Sequence, residues 1–208
     1  MLFKGAFTLA VLMTLASAAL VGGRTLGFIG DAPAATTAVC DSLTAAQRKS
    51  LLGEKTPYEQ DLDEFEDSQV CRWSLEAGDE ATFVEVTVTS AQQWAADYAG
   101  SIAEQGGPSD AARRAVFRKA LELGTSATDR EACGLASRVF ELNGAEQGAQ
   151  SGVTFDEGNR RKSPRVVAEG CNDGVFVSVV AASPNLKESS TLDRRALQAL
   201  GVVQRRLG

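Results

Sequence analysis

The residues whose chemistry is easiest to place in this 208-residue chain are its four cysteines, Cys40, Cys71, Cys133 and Cys171. No two of them form a Cys-x-x-Cys pair, the spacing that a structural zinc site or a thiol–disulfide exchange centre uses. Well-separated cysteines in even number, in a chain bound for an oxidising compartment, read as two disulfides. Four cysteines allow three pairings. The sequential one, Cys40 with Cys71 and Cys133 with Cys171, is preferred, and the crossed pairings stay open.

The other reactive side chains say less. Histidine is absent, which removes the commonest general base and the commonest metal ligand. Serine–histidine–acid and cysteine–histidine machinery cannot be built from this chain alone. Hydrolysis would have to use carboxylates, lysine or an imported metal. The run of Glu59, Asp61, Asp63, Glu64, Glu66 and Asp67 suggests calcium, but a calcium loop counted from Asp61 wants oxygen at its fifth position and glycine at its sixth. Phe65 and Glu66 stand there, so a solvated acidic loop is expected. Arg160, Arg161, Lys162 and Arg165 form a basic cluster, read as an exposed loop beside a strand. Trp73, Trp94 and Tyr98 are expected to pack in a core rather than to line a ligand pocket. Carboxylate pairs for glycoside cleavage need a separation in space that sequence does not give. No catalytic residue, cofactor site or metal ligand is therefore assigned.

The first residues supply the location. Residues 5–23 are apolar or small and carry no charge, with Lys4 before them and Arg24 after. As a helix they would span roughly 28 Å, close to the hydrocarbon thickness of a bilayer. Two readings compete: a signal peptide cut after Ala16-Ser17-Ala18, and an uncleaved anchor, since the apolar run continues through Ala19, Leu20 and Val21. The anchor is favoured. Either way the remainder crosses the membrane, so the expected location is a single pass with the C-terminal domain outside, or secretion after cleavage. The expected division is residues 1–29 as anchor or signal peptide, 30–39 as a flexible linker rich in alanine, threonine and proline, and 40–208 as one domain.

Along that domain, a helix is expected from Asp41 or Ser42 to Gly53, with Leu43, Ala46, Leu51 and Leu52 on one stripe. Residues 70–76 and 82–89 alternate apolar and polar around Gly78-Asp79, a hairpin pattern. Residues 91–104 place Trp94, Tyr98 and Ile102 on one helical side. Ser109 is a candidate cap for a helix over 110–123. Residues 133–142 look strand-like at their end, and 143–152 read as a polar, glycine-rich loop. Residues 165–171 and 175–181 flank Asn172-Asp173-Gly174, a second hairpin. A helix on Leu192, Leu197, Leu200, Val203 and Leu207 closes the chain. Strands followed by helices point to an α+β domain: an antiparallel sheet with helices packed on one face, closed by two disulfides. The two halves look loosely alike, with no repeat at the level of residues.

The stretch Cys40-Asp41-Ser42-Leu43-Thr44, the helix ending Leu51-Leu52-Gly53 and the strand opening Cys71-Arg72-Trp73 resemble an uncharacterised extracytoplasmic lipoprotein-type domain of actinobacteria. The resemblance covers residues 39–104. It implies an envelope location and a Cys40–Cys71 bridge, and it brings no activity. The chain departs from it in lacking a lipid-attachment cysteine, so a membrane helix would stand in place of the lipid.

With 44% hydrophobic and 23% charged residues the composition is that of an ordinary globular protein. A net charge of −6 disfavours a nucleic-acid partner. The expected function is a non-catalytic envelope module that binds a protein, polymer or lipid. The alternatives are a carboxylate-dependent extracytoplasmic hydrolase, and the sensor subunit of a signalling complex.

Overall fold

The computed structural model of the chain describes residues 39–53, 57, 59–65, 68–76, 81–104, 110–123, 126–159 and 162–207. The apolar run and the linker up to residue 38 lie outside the described residues. So do the expected turn residues Gly78, Asp79 and Gly106, and the candidate cap Ser109.

The described residues form α1 (Ala45–Leu52), β1 (Glu59–Phe65), β2 (Ser68–Ser74), β3 (Phe83–Ser90), α2 (Ala91–Glu104), α3 (Ala111–Leu123), α4 (Asp129–Leu142), β4 (Ser151–Asp156), β5 (Arg165–Asn172), β6 (Val175–Ala182) and α5 (Ser190–Leu207). The six strands make one antiparallel sheet in the order β1-β2-β3-β6-β5-β4. The class is α+β, closed by disulfides Cys40–Cys71 and Cys133–Cys171. The sequential pairing holds, and so does the bridge that the resemblance implied.

Alternation along the strands divides the sheet into two faces. Cys71, Trp73, Val84, Val86, Val166, Ala168, Val177 and Val179 point one way and are buried under α1 and α5. Phe176 and Cys171 point the other way, into a second cluster with α2, α3 and α4. The helices thus cover both faces rather than sharing one, and each bridge serves a different layer. Cys71 joins the α1–α5 side and Cys171 the α2–α4 side. Both hydrophobic faces of the sheet need cover, and one layer of helices could shield only one of them.

The strand order is symmetric about the β3–β6 pair, and the helices are not. A two-fold axis that exchanges neighbouring antiparallel strands stands perpendicular to the sheet and keeps each face on its own side. Yet α2 leaves β3 for one face and α5 leaves β6 for the other. The loose likeness of the halves is confined to their strands.

Several local expectations hold. The β5–β6 hairpin turns on Asp173 and Gly174, with φ 48° and 82°, the left-handed pair that a two-residue turn of type I′ needs. Helix α2 runs over the expected residues, with Trp94, Tyr98 and Ile102 all buried. Val39, assigned to the linker, instead belongs to the core at 1% exposure. Helix α1 starts later than expected because Thr44 and Gln47 cap it reciprocally. Asp110 caps α3, its carboxylate accepting from the Arg113 amide at 2.8 Å.

Three segments differ from expectation. Residues 133–142 are helical throughout. Thr128 and Glu131 form a capping box, and Ala132, Leu135, Ala136, Val139 and Phe140 make a buried stripe at helical spacing. The acidic run from Glu59 to Phe65 is a strand rather than a loop: β1 pairs with β2 along its whole length at the sheet edge, exposed at every residue but Leu62. Charged edges are tolerated there because they discourage pairing with another chain. Residues 151–156, in part read as loop, form the opposite edge strand. Replacing Thr128 by alanine is expected to cost about 1 kcal/mol and to lower the thermal midpoint by roughly 3 °C. Calorimetry checks this, and Thr128→Ser restoring the midpoint identifies the cap as the cause.

Candidate functional site

The face of the sheet that carries Phe176 is only partly roofed. Helices α2 and α4 sit over the Phe176–Cys171 end. Towards the other end Val167, Ser178 and Val180 stay half-buried. Beside them a cavity of about 340 Å³ opens between the end of α4, the loop after it and the edge strand β4.

Three features of the chain shape it. Gly152 of β4 stands opposite Glu169 of β5. A side chain at Gly152 would come within 3.2 Å of Phe140, so the glycine lets the α4 ring lie close to the sheet. Helix α4 then ends at Asn143, and Gly144, at φ 100°, turns the chain into the loop. That loop is braced by Glu141, whose carboxylate accepts from the Gly148 amide at 2.7 Å and from Arg138 at 2.6 Å. The Gly148 amide and then Arg138 hold the Glu141 carboxyl below its ordinary range.

Glu169 is the group these elements position. Its carboxyl lines the cavity with Phe140, Asn143, Thr154, Val167 and Leu197. It has no hydrogen-bond or ion-pair partner among the described residues. Burial alone pushes its carboxyl up to about 7. Glu146 lines the same cavity from the exposed loop. The arrangement therefore offers one carboxyl near the midpoint of its titration at neutral pH, an apolar wall from Phe140 and Leu197, and amide and hydroxyl groups from Asn143 and Thr154.

The residues singled out in the sequence lie elsewhere. Trp73, Trp94 and Tyr98 are at most 5% exposed and belong to the two cores. Trp73 donates its indole N–H to Gln60 at 3.1 Å and lies under the Arg48 guanidinium. Burial lowers the pKa of Arg48 from its ordinary value. Trp94 stacks with Tyr98 and Phe176. Of the basic cluster, Arg165 is drawn back to Asp156 at 2.8 Å and Lys162 is exposed, while Arg160 and Arg161 lie outside the described residues. Burial would raise the Asp156 carboxyl, but Arg165 and the Gly158 amide outweigh it and hold it low. On β1, Glu59, Asp61 and Asp63 point to one face and Leu62 and Glu64 to the other, so the described acids of the run divide between the two faces.

Glu169 escaped sequence reasoning because one acid among 27 acidic residues has no distinguishing neighbour in the chain. The available signal was its place in Val167-Ala168-Glu169-Gly170-Cys171. A lone carboxyl there alternates with buried positions and shares a face with a bridged cysteine.

Searches against protein-family models, curated proteins and solved structures find no match for this chain.

Proposed function

We propose that the chain is an extracytoplasmic, non-catalytic binding module, tethered to a membrane by its N-terminal apolar run or released by cleavage. In this reading it takes a small amine-bearing ligand in the Glu169 cavity. The two disulfides support the compartment, because such bridges persist in oxidising surroundings. Among the described residues no helix is long and apolar enough to cross a membrane, so the tether rests on the apolar run alone. The observation that carries the ligand is the unpartnered Glu169 carboxyl in the wall of an open cavity. An ammonium group would supply the missing partner and draw the carboxyl to its ionised form.

A second reading, carboxylate-dependent hydrolysis, is favoured by one observation: Glu146 shares the cavity. Catalysis by two acids needs both held in place. The Glu146 side chain is exposed and has no fixing contact among the described residues, which favours binding.

Saturation-transfer NMR with lysine and putrescine tests the reading. Contacts that strengthen between pH 6 and 8 and vanish in Glu169→Gln support it. Contacts indifferent to that substitution remove it. Turnover of a glycoside that is lost in both Glu169→Gln and Glu146→Gln would establish the hydrolase instead.

The same carboxyl affects stability. Below about pH 4.5 Glu169 is protonated in both folded and unfolded chains and contributes no pH dependence. From there to about 7 the unfolded chain releases its proton and the folded chain does not, so stability falls as pH rises. Above 7 the penalty is constant. Glu169→Gln is therefore expected to match the parent at pH 4 and to exceed its stability by up to about 3 kcal/mol at pH 8. Urea unfolding at the two pH values measures this.

A further inference from the structure

The chain is acidic overall, yet its α1–α5 layer is basic. The two helices carry Arg48, Lys49, Arg194, Arg195, Arg205 and Arg206 against the single acid Asp193. None of these six bases is ion-paired with an acid among the described residues; on other elements Arg72, Arg138 and Arg165 are paired, and Arg118 and Arg130 are not. On α5 the exposed positions Arg194, Arg195, Gln198 and Arg205 follow helical spacing along one stripe. Leu197, 36% exposed, lies beside it. Between that stripe and α1 runs a cleft of about 420 Å³, bordered by Gln47, Ser50, Arg195, Gln198, Gly201 and Arg205. Gly201 adds no side chain to its wall.

The chain enters the domain at this layer. Val39 and Cys40 pack in the same cluster as α5. Arg206 donates to the carbonyls of Asp41 and Ser42, and Arg195 to that of Ser50 at 3.1 Å. Between the apolar run ending at Gly23 and Val39 lie 15 residues, which reach at most roughly 50 Å when fully extended. A tether of that reach keeps the domain near the bilayer surface, and its point of attachment lies on this layer. That layer holds five arginines and a lysine against one acid on its helices, while the acidic strand β1 lies at the sheet edge.

We propose that the α1–α5 face docks on the anionic headgroups of the bilayer to which the chain is tethered, with a headgroup phosphate seated in the cleft between Arg195 and Arg205. The inference rests on the tether reading for its geometry and shares only Leu197 with the Glu169 cavity. Guanidinium groups suit phosphate because their paired N–H donors match its oxygens. The partly exposed Leu197 beside them could settle into the headgroup layer.

The test is arginine footprinting with phenylglyoxal, read residue by residue by mass spectrometry. The full chain is reconstituted in phosphatidylcholine vesicles with and without phosphatidylglycerol. Arg194, Arg195 and Arg205 are expected to react several-fold more slowly on the anionic vesicles only, and high salt should abolish the difference. The exposed Arg118 and Arg130 on the opposite layer should react alike on both. Arg195→Gln and Arg205→Gln should each weaken the protection of the remaining arginines roughly fivefold. Equal reactivity of all five arginines on both vesicles overturns the proposal. Equal protection by glycerol phosphate on neutral vesicles overturns it too, leaving a free-phosphate site in place of a membrane face. Failure of the chain to float with neutral vesicles removes the tether reading separately. Anionic vesicles added to such a free chain would still read the α1–α5 face.

Discussion

Replacing Cys133 and Cys171 together by alanine is expected to lower the unfolding free energy by about 4 kcal/mol. The bridge spans 38 residues, and opening it returns to the unfolded chain the freedom that a loop of that length gives up on closure. A domain of this size has roughly 5–15 kcal/mol in total, so the loss is a large share of it. The Cys40–Cys71 bridge spans 31 residues, and by the same reasoning its removal costs nearly as much, again about 4 kcal/mol. The two variants should differ in where the native state loosens. Cys133 lies on α4, and Cys171 lies two residues from Glu169 on the same face, so this bridge clamps α4 over the cavity. Cys40 instead holds the entering chain against the α1–α5 layer. Amide hydrogen exchange below the unfolding transition should therefore speed up in residues 143–152 for the first variant and in residues 39–53 for the second. Urea unfolding supplies the energies. Equal exchange patterns would mean that the bridges stabilise only through the unfolded chain and do not position the site.

Much of the architecture was legible in the chain, and the reasons are local. The β5–β6 hairpin is written in Asn172-Asp173-Gly174, because only residues that accept positive φ complete so short a turn. Helix α2 is written in Trp94, Tyr98 and Ile102. The misreadings also have local causes. Phe140-Glu141-Leu142 alternates like a strand, and only the capping box at Thr128 and the alanines upstream show that its stripe is helical. Residues 59–65 are too acidic to suggest a strand, since an edge strand satisfies only half its backbone in the sheet and can leave its side chains in water. Covering of both sheet faces could not be read from element order, which does not say to which side a connection crosses. The candidate site was less legible than the fold. Glu169, Phe140, Asn143 and Leu197 come together only once α4, β4, β5 and α5 are packed. The basic stripe of α5 stood in plain view as Arg194-Arg195 and Arg205-Arg206. Its meaning depends on which side of the helix is buried. Leu192, Ala196, Leu200 and Val203 face the sheet, whereas Leu197, expected to face inward with them, is exposed.

Phe176→Ala is expected to cost about 3–5 kcal/mol. The ring is 3% exposed and is the piece of the sheet on which the α2–α4 layer rests. Its centroid is 4.7 Å from that of Trp94 on α2 and 6.4 Å from that of Phe140 on α4. Alanine removes the apolar transfer energy of the ring and leaves a void that two helices would have to close at once. The void also withdraws support from Phe140, so loss of stability should come with loss of amine binding at Glu169. Phe176→Leu keeps most of the volume and should cost less than about 1.5 kcal/mol while retaining the cavity. Phe65→Ala is the control: that ring is 52% exposed on the edge strand, and its removal should shift stability by less than about 0.5 kcal/mol. Thermal and urea unfolding of the three variants orders them. If Phe176→Ala proved no worse than Phe65→Ala, the aromatic cluster would not be a core. Trp94, Phe176 and Phe140 would then have to be reconsidered as the wall of a second, wetter pocket.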